Sequence, residues 1–280
     1  MMTPRMPMEK ERPIGIFDSG IGGLSVLRHI RDAMPSENLL YFADSAHAPY
    51  GDKTEQAILE RSLSIAEFLL EQNAKAIVVA CNTATAAAIK AIRSAYPTLA
   101  VVGIEPGLKP AALQTTTKKI GVLATKGTLS SASFNMLSQK ISAATGVQFT
   151  LQACVGLADQ IEKGELDTET TDSMIFRYVA PLIEQNVDTL VLGCTHYPFV
   201  RPMIEKIVKR LTSTQVALID TSDAVTKQLI RILAEYDLGQ TNPECGSLTA
   251  FTTGKPTVLK NTFFSLLGWQ PRVFQVPTVP

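Results

Sequence analysis

The apolar residues of this chain fall into short, nearly unbroken runs separated by longer amphipathic stretches. The runs at 14–17, 39–42, 76–80 and 101–104 lack polar alternation, the pattern of parallel strands covered by helices on both faces. A second series follows at 120–124, 147–151, 190–192 and 217–219. Between the runs, segments such as 55–72 place Ile58, Leu59, Ser62, Ile65, Ala66, Leu69 and Leu70 on one helical face. Alternation of strands and helices at this spacing predicts an α/β fold with mostly parallel sheets and right-handed crossovers.

The two series also match each other. PIGIFDSG at 13–20 aligns with KIGVLATKG at 119–127, and AIVVACNTA at 76–84 aligns with TLVLGCTHY at 189–197. The paired isoleucines, Ile14 and Ile120, lie 106 residues apart, and the paired cysteines, Cys81 and Cys194, lie 113 apart. Any two buried strands look alike, so the strands alone do not establish a duplication. A cysteine that ends each strand and is followed by a polar residue and a helix is the more specific correspondence. Two similar α/β halves are expected.

Composition narrows the function classes. A length of 280 residues suits about two domains, and 45% hydrophobic with 19% charged residues is an ordinary globular mixture. The 26 basic and 26 acidic side chains cancel, so the sequence lacks the basic stripe by which nucleic-acid binders neutralise phosphates. The apolar runs are strand-sized, far short of the roughly 20 residues a membrane span needs. The leader MMTPRMPMEKERP carries no apolar export segment, so residues 1–12 are expected to be disordered and the protein cytoplasmic. In a reducing compartment the cysteines at 81, 154, 194 and 245 are expected to be thiols, and without a CxxC pair a zinc ribbon or redox motif is not indicated.

Open parallel sheets collect ligands beyond the carboxyl ends of their strands. Four polar clusters fall there: Asp18-Ser19-Gly20, the loop 44–51, Cys81-Asn82-Thr83 and Cys194-Thr195-His196. A thiol at a helix N-terminus is expected to have a lowered pKa, and the same free N–H groups can hold a carboxylate. Each cysteine read singly is as readily a buried structural residue. Cys154 is followed by Val155 rather than a polar donor, and Cys245 sits in a Pro/Gly turn, so both are expected to be structural or surface residues. The turn Gly20-Ile21-Gly22-Gly23 is no dinucleotide fingerprint, since Ser25 stands where the third glycine belongs and Asp18 would repel phosphate. Asp18 could orient a proton, bind an ammonium group, or merely cap the next helix. His196 lies two residues from Cys194 and could be its acid, base or charge partner. His47 lies in another candidate loop and His29 on a helix face. No further cysteine–histidine cluster supports a metal site.

Taken together, GIFDSGIGGLSVL, YFADSAHAPYG, VACNTATA and VLGCTHYPF, spanning residues 15–199, resemble the glutamate racemases of the aspartate/glutamate racemase superfamily. The resemblance implies cofactor-independent interconversion of L- and D-glutamate by two opposed thiols, supplying D-glutamate for peptidoglycan. It makes Cys81 the base for the D-enantiomer and Cys194 the base for the L-enantiomer. Asp18 would assist the first and His196 the second. Ser19, Tyr50, Gly51, Asn82, Thr83 and Thr195 would hold the substrate's carboxylates and ammonium group, with Asp18 and His196 also in contact. The family's CPxLVPLVExG segment corresponds to CVGLADQIEKG, giving Glu162, although the prolines are missing and Asp159 intrudes. The resemblance further implies a first domain of residues 1–106 plus 221–280, a second of 107–220, and a homodimer. The rivals are a racemase for aspartate, a cysteine hydrolase using Cys194 and His196, and a catalytically silent binding protein.

Overall fold

In the computed structural model, which describes residues 9–240 and 244–276, the eight apolar runs form strands and two further strands follow them. They are β1 (Ile14–Asp18), β2 (Leu39–Ala43), β3 (Ala76–Val79), β4 (Ala100–Gly103), β5 (Lys119–Ala124), β6 (Gln148–Ala153), β7 (Thr189–Gly193), β8 (Ala217–Ile219), β9 (Leu248–Thr252) and β10 (Arg272–Gln275). Six build one sheet in the order β10-β9-β2-β1-β3-β4, and four build a second in the order β6-β5-β7-β8. Every strand pair is parallel. The chain therefore leaves the first sheet after β4, completes the second, and returns with β9 and β10. The fold is α/β with two parallel sheets, as the hydrophobic pattern predicts.

Parallel pairing requires crossovers, and the helices supply them while burying both faces of each sheet. Along β1, Ile14 and Ile16 enter one apolar cluster with Leu24, Leu27 and Ile30 of the helix Leu24–Ala33. Phe17 points the other way, into a cluster with Ile58, Ile65 and Leu69 of the helix Glu55–Glu71. The second sheet has its own outer cluster, which includes Ile120, Val122 and Val191. The inner cluster of the first sheet continues through Leu123, Leu190 and Leu192 of the second, so the halves share a core.

The returning segment is anchored in that core. Phe263, from the helix Pro256–Leu267, is fully buried edge-on to Tyr41 with ring centroids 5.8 Å apart. The expected disordered leader lies largely outside the described residues, which begin at Glu9. Glu9–Glu11, however, form a short 3-10 turn. Lys75 Nζ donates to the carbonyl of Lys10 at 2.6 Å, and Asn38 Nδ2 donates to that of Glu11 at 2.8 Å. Buried neighbours with polar atoms to satisfy hold this part of the leader in place.

Sheet order fixes where the site must be. In the first sheet β1 is flanked by β2 and β3, so successive crossovers leave β1 in opposite directions along the sheet. The carboxyl ends of β1 and β3 then frame a crevice. In the second sheet β5 and β7 do the same. These four ends carry Asp18-Ser19, Cys81, Thr125 and Cys194. None of the described helices is long and apolar enough to cross a membrane.

Candidate active site

Cys81 is the N-cap of the helix Asn82–Ala95. Its Sγ accepts from the Ala84 N–H at 3.5 Å and donates to Ser19 Oγ at 3.8 Å. Cys194, at the end of β7, has His196 Nδ1 at 3.6 Å from its Sγ. Both thiols are buried, at 5% and 7% exposure, and Cys194 lies within electrostatic reach of Cys81. The two sulfurs thus share one buried site between the halves.

Each thiol has a titratable companion. Asp18 is fully buried; its Oδ1 accepts from the Gly20 N–H at 2.8 Å and its Oδ2 from Thr195 Oγ1 at 2.9 Å. Burial raises the Asp18 pKa above the usual carboxylate range, with His196 and the Gly20 amide pulling it back. On the other side, His196 Nε2 lies 2.7 Å from Oε1 of Glu162. Burial alone would lower the His196 pKa, but hydrogen bonds and charge from Cys194 and Glu162 reverse the effect and raise it well above the ordinary value. The raised pKa favours the charged imidazole, whose two ring nitrogens face Cys194 and Glu162.

One expectation is corrected here. A helix N-terminus should lower the pKa of Cys81, yet the thiol is driven well upward, first by burial and then by the negative charge of Asp18. The Ala84 amide and Ser19 oppose this without overcoming it. In the shut conformation the desolvation of a thiolate outweighs the helix terminus. Cys81 rests as the neutral thiol.

The close approach of the halves explains the glycine turn. A Cβ on Gly20 would land on the Glu162 carboxylate, and one on Gly22 would collide with His196 Nδ1 and Thr195 Oγ1. A Cβ on Gly23 would sit 2.7 Å from Cβ of Asp18. Gly20 and Gly22 are required by contact with the opposite half and Gly23 by packing within its own, not by a phosphate.

The remaining predicted residues gather at the same place. Ser19, Tyr50, Asn82, Thr83 and Thr195 are all buried. Both side-chain amide atoms of Asn82 lack a hydrogen-bond partner among the described residues, a costly state that a polar ligand would relieve. Thr83 Oγ1 faces Thr125 Oγ1 at 3.0 Å and Thr128 Oγ1 at 3.3 Å, across from the second half. Gly51 abuts Thr125. The Tyr50 hydroxyl donates to Asp44 Oδ2 at 2.6 Å, so its polar atom is engaged inside its own loop.

Residues 17–229 match the family model described as Asp/Glu/hydantoin racemase. The chain belongs to that family. This racemase is 49% identical over 235 residues to the glutamate racemase of Ectopseudomonas mendocina (strain ymp), covering 84% of this chain and 87% of that one. Its fold matches a glutamate racemase isoform of Bacillus anthracis with a TM-score of 0.86 at 32% identity, covering 95% and 98% of the two chains. It also matches the Francisella tularensis subsp. tularensis SCHU S4 glutamate racemase, solved in complex with D-glutamate, with a TM-score of 0.83 at 28% identity, covering 96% and 98%.

Several polar residues of the racemase site escape a motif reading. Thr125 stands 106 positions after Ser19, the offset that relates Ile14 to Ile120, so the internal match alone could have flagged it. Thr128 follows one short turn later, within hydrogen-bonding reach of Thr125. Asp44 is the buried centre of another network, accepting from Arg61, Tyr50, Thr253 and His47. Outside the site, Cys154 is buried, Cys245 is exposed, and His29 caps the Ser25 carbonyl on its own helix. One atom each of Asp18, Glu162 and His196 lie within 4.8 Å of one another, the spacing of a possible metal site. The contact of His196 with Cys194 and with Glu162, and the bonds that Asp18 and Glu162 accept from Thr195, Gly20 and Ile21, account for their convergence.

Proposed function

We propose that this racemase interconverts L- and D-glutamate by moving the α-proton between Cys81 and Cys194. One observation carries the reading: matching switch points of the two sheets each present a cysteine to a common buried site, and each cysteine has its own titratable companion. Removing a weakly acidic α-proton and returning one to the other face suits two opposed groups that exchange thiol and thiolate roles on each turnover. Cys194 would take the proton of the L-enantiomer while Cys81, already protonated, delivers one to the opposite face. In the reverse direction the roles exchange, with Asp18 serving Cys81 and the His196–Glu162 pair serving Cys194.

Ser19, Asn82, Thr83 and Thr195, with Thr125, Thr128 and the Tyr50–Gly51 backbone, would hold the substrate's charged groups. Free amides at the start of the helix Asn82–Ala95 would stabilise the carbanionic intermediate. The scheme needs no electron sink, hence no cofactor. The proposed domains are residues 1–106 plus 221–280 and residues 107–220, a division supported by β1–β4, β9 and β10 sharing one sheet and β5–β8 the other. A cytoplasmic homodimer feeding D-glutamate to peptidoglycan completes the reading.

Incubation of the protein with L-glutamate in heavy water, without added cofactor, tests it. D-Glutamate should appear with deuterium at Cα, while L-glutamate recovered early carries little label. Cys81→Ala and Cys194→Ala should each lower turnover by roughly 10²–10⁴-fold, the usual range for a lost acid or base. A hydrolase using Cys194 and His196 would survive Cys81→Ala, and an aspartate racemase would prefer the shorter diacid. Absence of exchange with every acidic amino acid would refute the proposal.

A further inference from the structure

A small diacid cannot reach the two thiols in the shut conformation, because Asp18, Ser19, Cys81, Cys194, Thr195 and His196 are all buried. The halves must part and close again during turnover. Beside Cys194 the halves are joined by Thr195 Oγ1, which donates to Asp18 Oδ2, and by a second bridge through Glu162. A single oxygen, Glu162 Oε1, accepts the backbone N–H of Ile21 at 2.7 Å and also meets His196 Nε2 at 2.7 Å. Ile21 belongs to the glycine turn of the first half, whereas Glu162 and His196 belong to the second. The absence of a side chain on Gly20 is what admits the Glu162 carboxylate. Gly20 does not have a positive φ, so the backbone tolerates alanine there, and the three atoms nearest to an added Cβ all belong to Glu162.

We propose that Glu162 is a latch that makes closure of the halves and orientation of His196 against Cys194 a single event, by receiving the Ile21 amide across the gap and the imidazole of His196 with the same oxygen. This deepens the racemase reading and rests on it. When the halves part, the carboxylate loses the Ile21 amide and gains water, and its hold on His196 weakens. When they close over substrate, the shared oxygen is desolvated and the imidazole is fixed. Glu162 is a positioning residue, since it acts through His196 rather than on the substrate.

The groups facing His196 are Cys194 beside it, Glu162 from the helix Leu157–Glu162, and Asp18 at the end of β1. Glu162 is one of the charges that hold the imidazole protonated. Releasing it should move the basic limb of the pH–rate profile to lower pH.

The test is a double-mutant cycle on the full-length protein with Gly20→Ala and Glu162→Gln. Each single variant should lower kcat/KM by about ten- to a hundredfold, as expected for loss of a hydrogen bond to a charged group. The double variant should be no worse than the poorer single one, and all three should show the shifted basic limb. Hydrogen exchange at the Ile21 amide should be faster in Glu162→Gln than in the wild type, a readout independent of turnover and of whether Gly20→Ala folds. Multiplicative losses, an unmoved pH limb, or unchanged Ile21 exchange would each overturn the latch. The cysteine variants judge the racemase reading separately. Their inactivity together with additive Gly20 and Glu162 effects would sink the latch alone.

Discussion

A buried thiol and a buried carboxyl group compete for the same desolvation, and the two sides of this site resolve the competition differently. Cys81 faces Asp18, a negative partner that adds to burial in keeping the thiol protonated. Cys194 faces a charged imidazole instead. The site is therefore not electrostatically symmetric, although its reaction is. Because L- and D-glutamate are mirror images, the equilibrium constant is one and kcat/KM must be equal in both directions. Asymmetry can appear only in kcat and KM separately. Asp18→Asn should lower kcat/KM by the same factor in both directions. It should change kcat more when D-glutamate is the substrate, because Cys81 then starts as the base. Circular-dichroism progress curves from each enantiomer would show this, and equal kcat changes in both directions would contradict it. At this scale the sequence was legible in its chemistry but not in its charge state. Cys81, Cys194, Asp18 and His196 could be named from motifs. The upward shift of Cys81 could not, because it depends on burial by residues distant in the chain. Thr125 and Thr128 were missed because ATKGT lacks a conspicuous cysteine or histidine.

Elements are positioned by two buried carboxylates, Asp188, which no motif announces, and Asp44, which opens the candidate loop 44–51. Asp188, just before β7, accepts from the hydroxyls of Thr115, Thr116 and Thr189 and from the amides of Thr116 and Thr117. These bonds hold its pKa well below the usual carboxylate range and tie the approach to β5 to the start of β7. The sign of the linkage follows. With a depressed folded-state pKa, the stabilisation is complete above the unfolded value of about 4 and is lost as pH falls below it. Asp188→Asn should lower stability at pH 7 by about 1–3 kcal/mol. The gap from wild type should narrow at pH 3, as read from urea midpoints; a gap constant with pH would contradict this. Asp44 does comparable work for the loop that carries Tyr50 and Gly51. Arg61 grips it with two nitrogens, Nε at 3.0 Å and NH2 at 2.8 Å, while Thr253 arrives from the returning segment at 2.9 Å. Arg61→Lys keeps the charge but loses the fork. Glutamate KM should rise several-fold while kcat stays within about twofold, the pattern of weakened ground-state binding; initial-rate curves decide the matter. The first eight strands were legible to within two residues because seven are clean apolar runs and the eighth, β6, keeps Val147, Phe149 and Leu151 in alternation. β9 and β10 were not, since LTAFT mixes threonine into a half-buried strand and RVFQ is a short, exposed edge.

For the whole molecule, two parallel sheets with matching switch points could be read from internal repetition, because burial on both faces leaves so plain a trace in the sequence. The way the sheets meet could not. Gly20 and Gly22 look like ordinary turn glycines until the opposite half is placed against them. The return of the chain to its first sheet was implied by resemblance, not by hydrophobic pattern, and it has a measurable cost when interrupted. A chain ending at residue 240 would lack β9, β10 and the helix that carries Phe263. It should accumulate as insoluble material when expressed, and a soluble product with native circular dichroism would be the contrary result.

The pairing of β2 with β9 joins Leu39 to Leu248, two residues separated by most of the polypeptide. During synthesis the margin of β2 must wait, with its N–H and C=O groups unpaired, until β9 has been made. For that interval the nascent protein carries an open template for a neighbouring chain on the same polysome. Closing the first sheet therefore depends on a contact of high sequence separation, the kind that forms late because its loop-closure entropy must be met first.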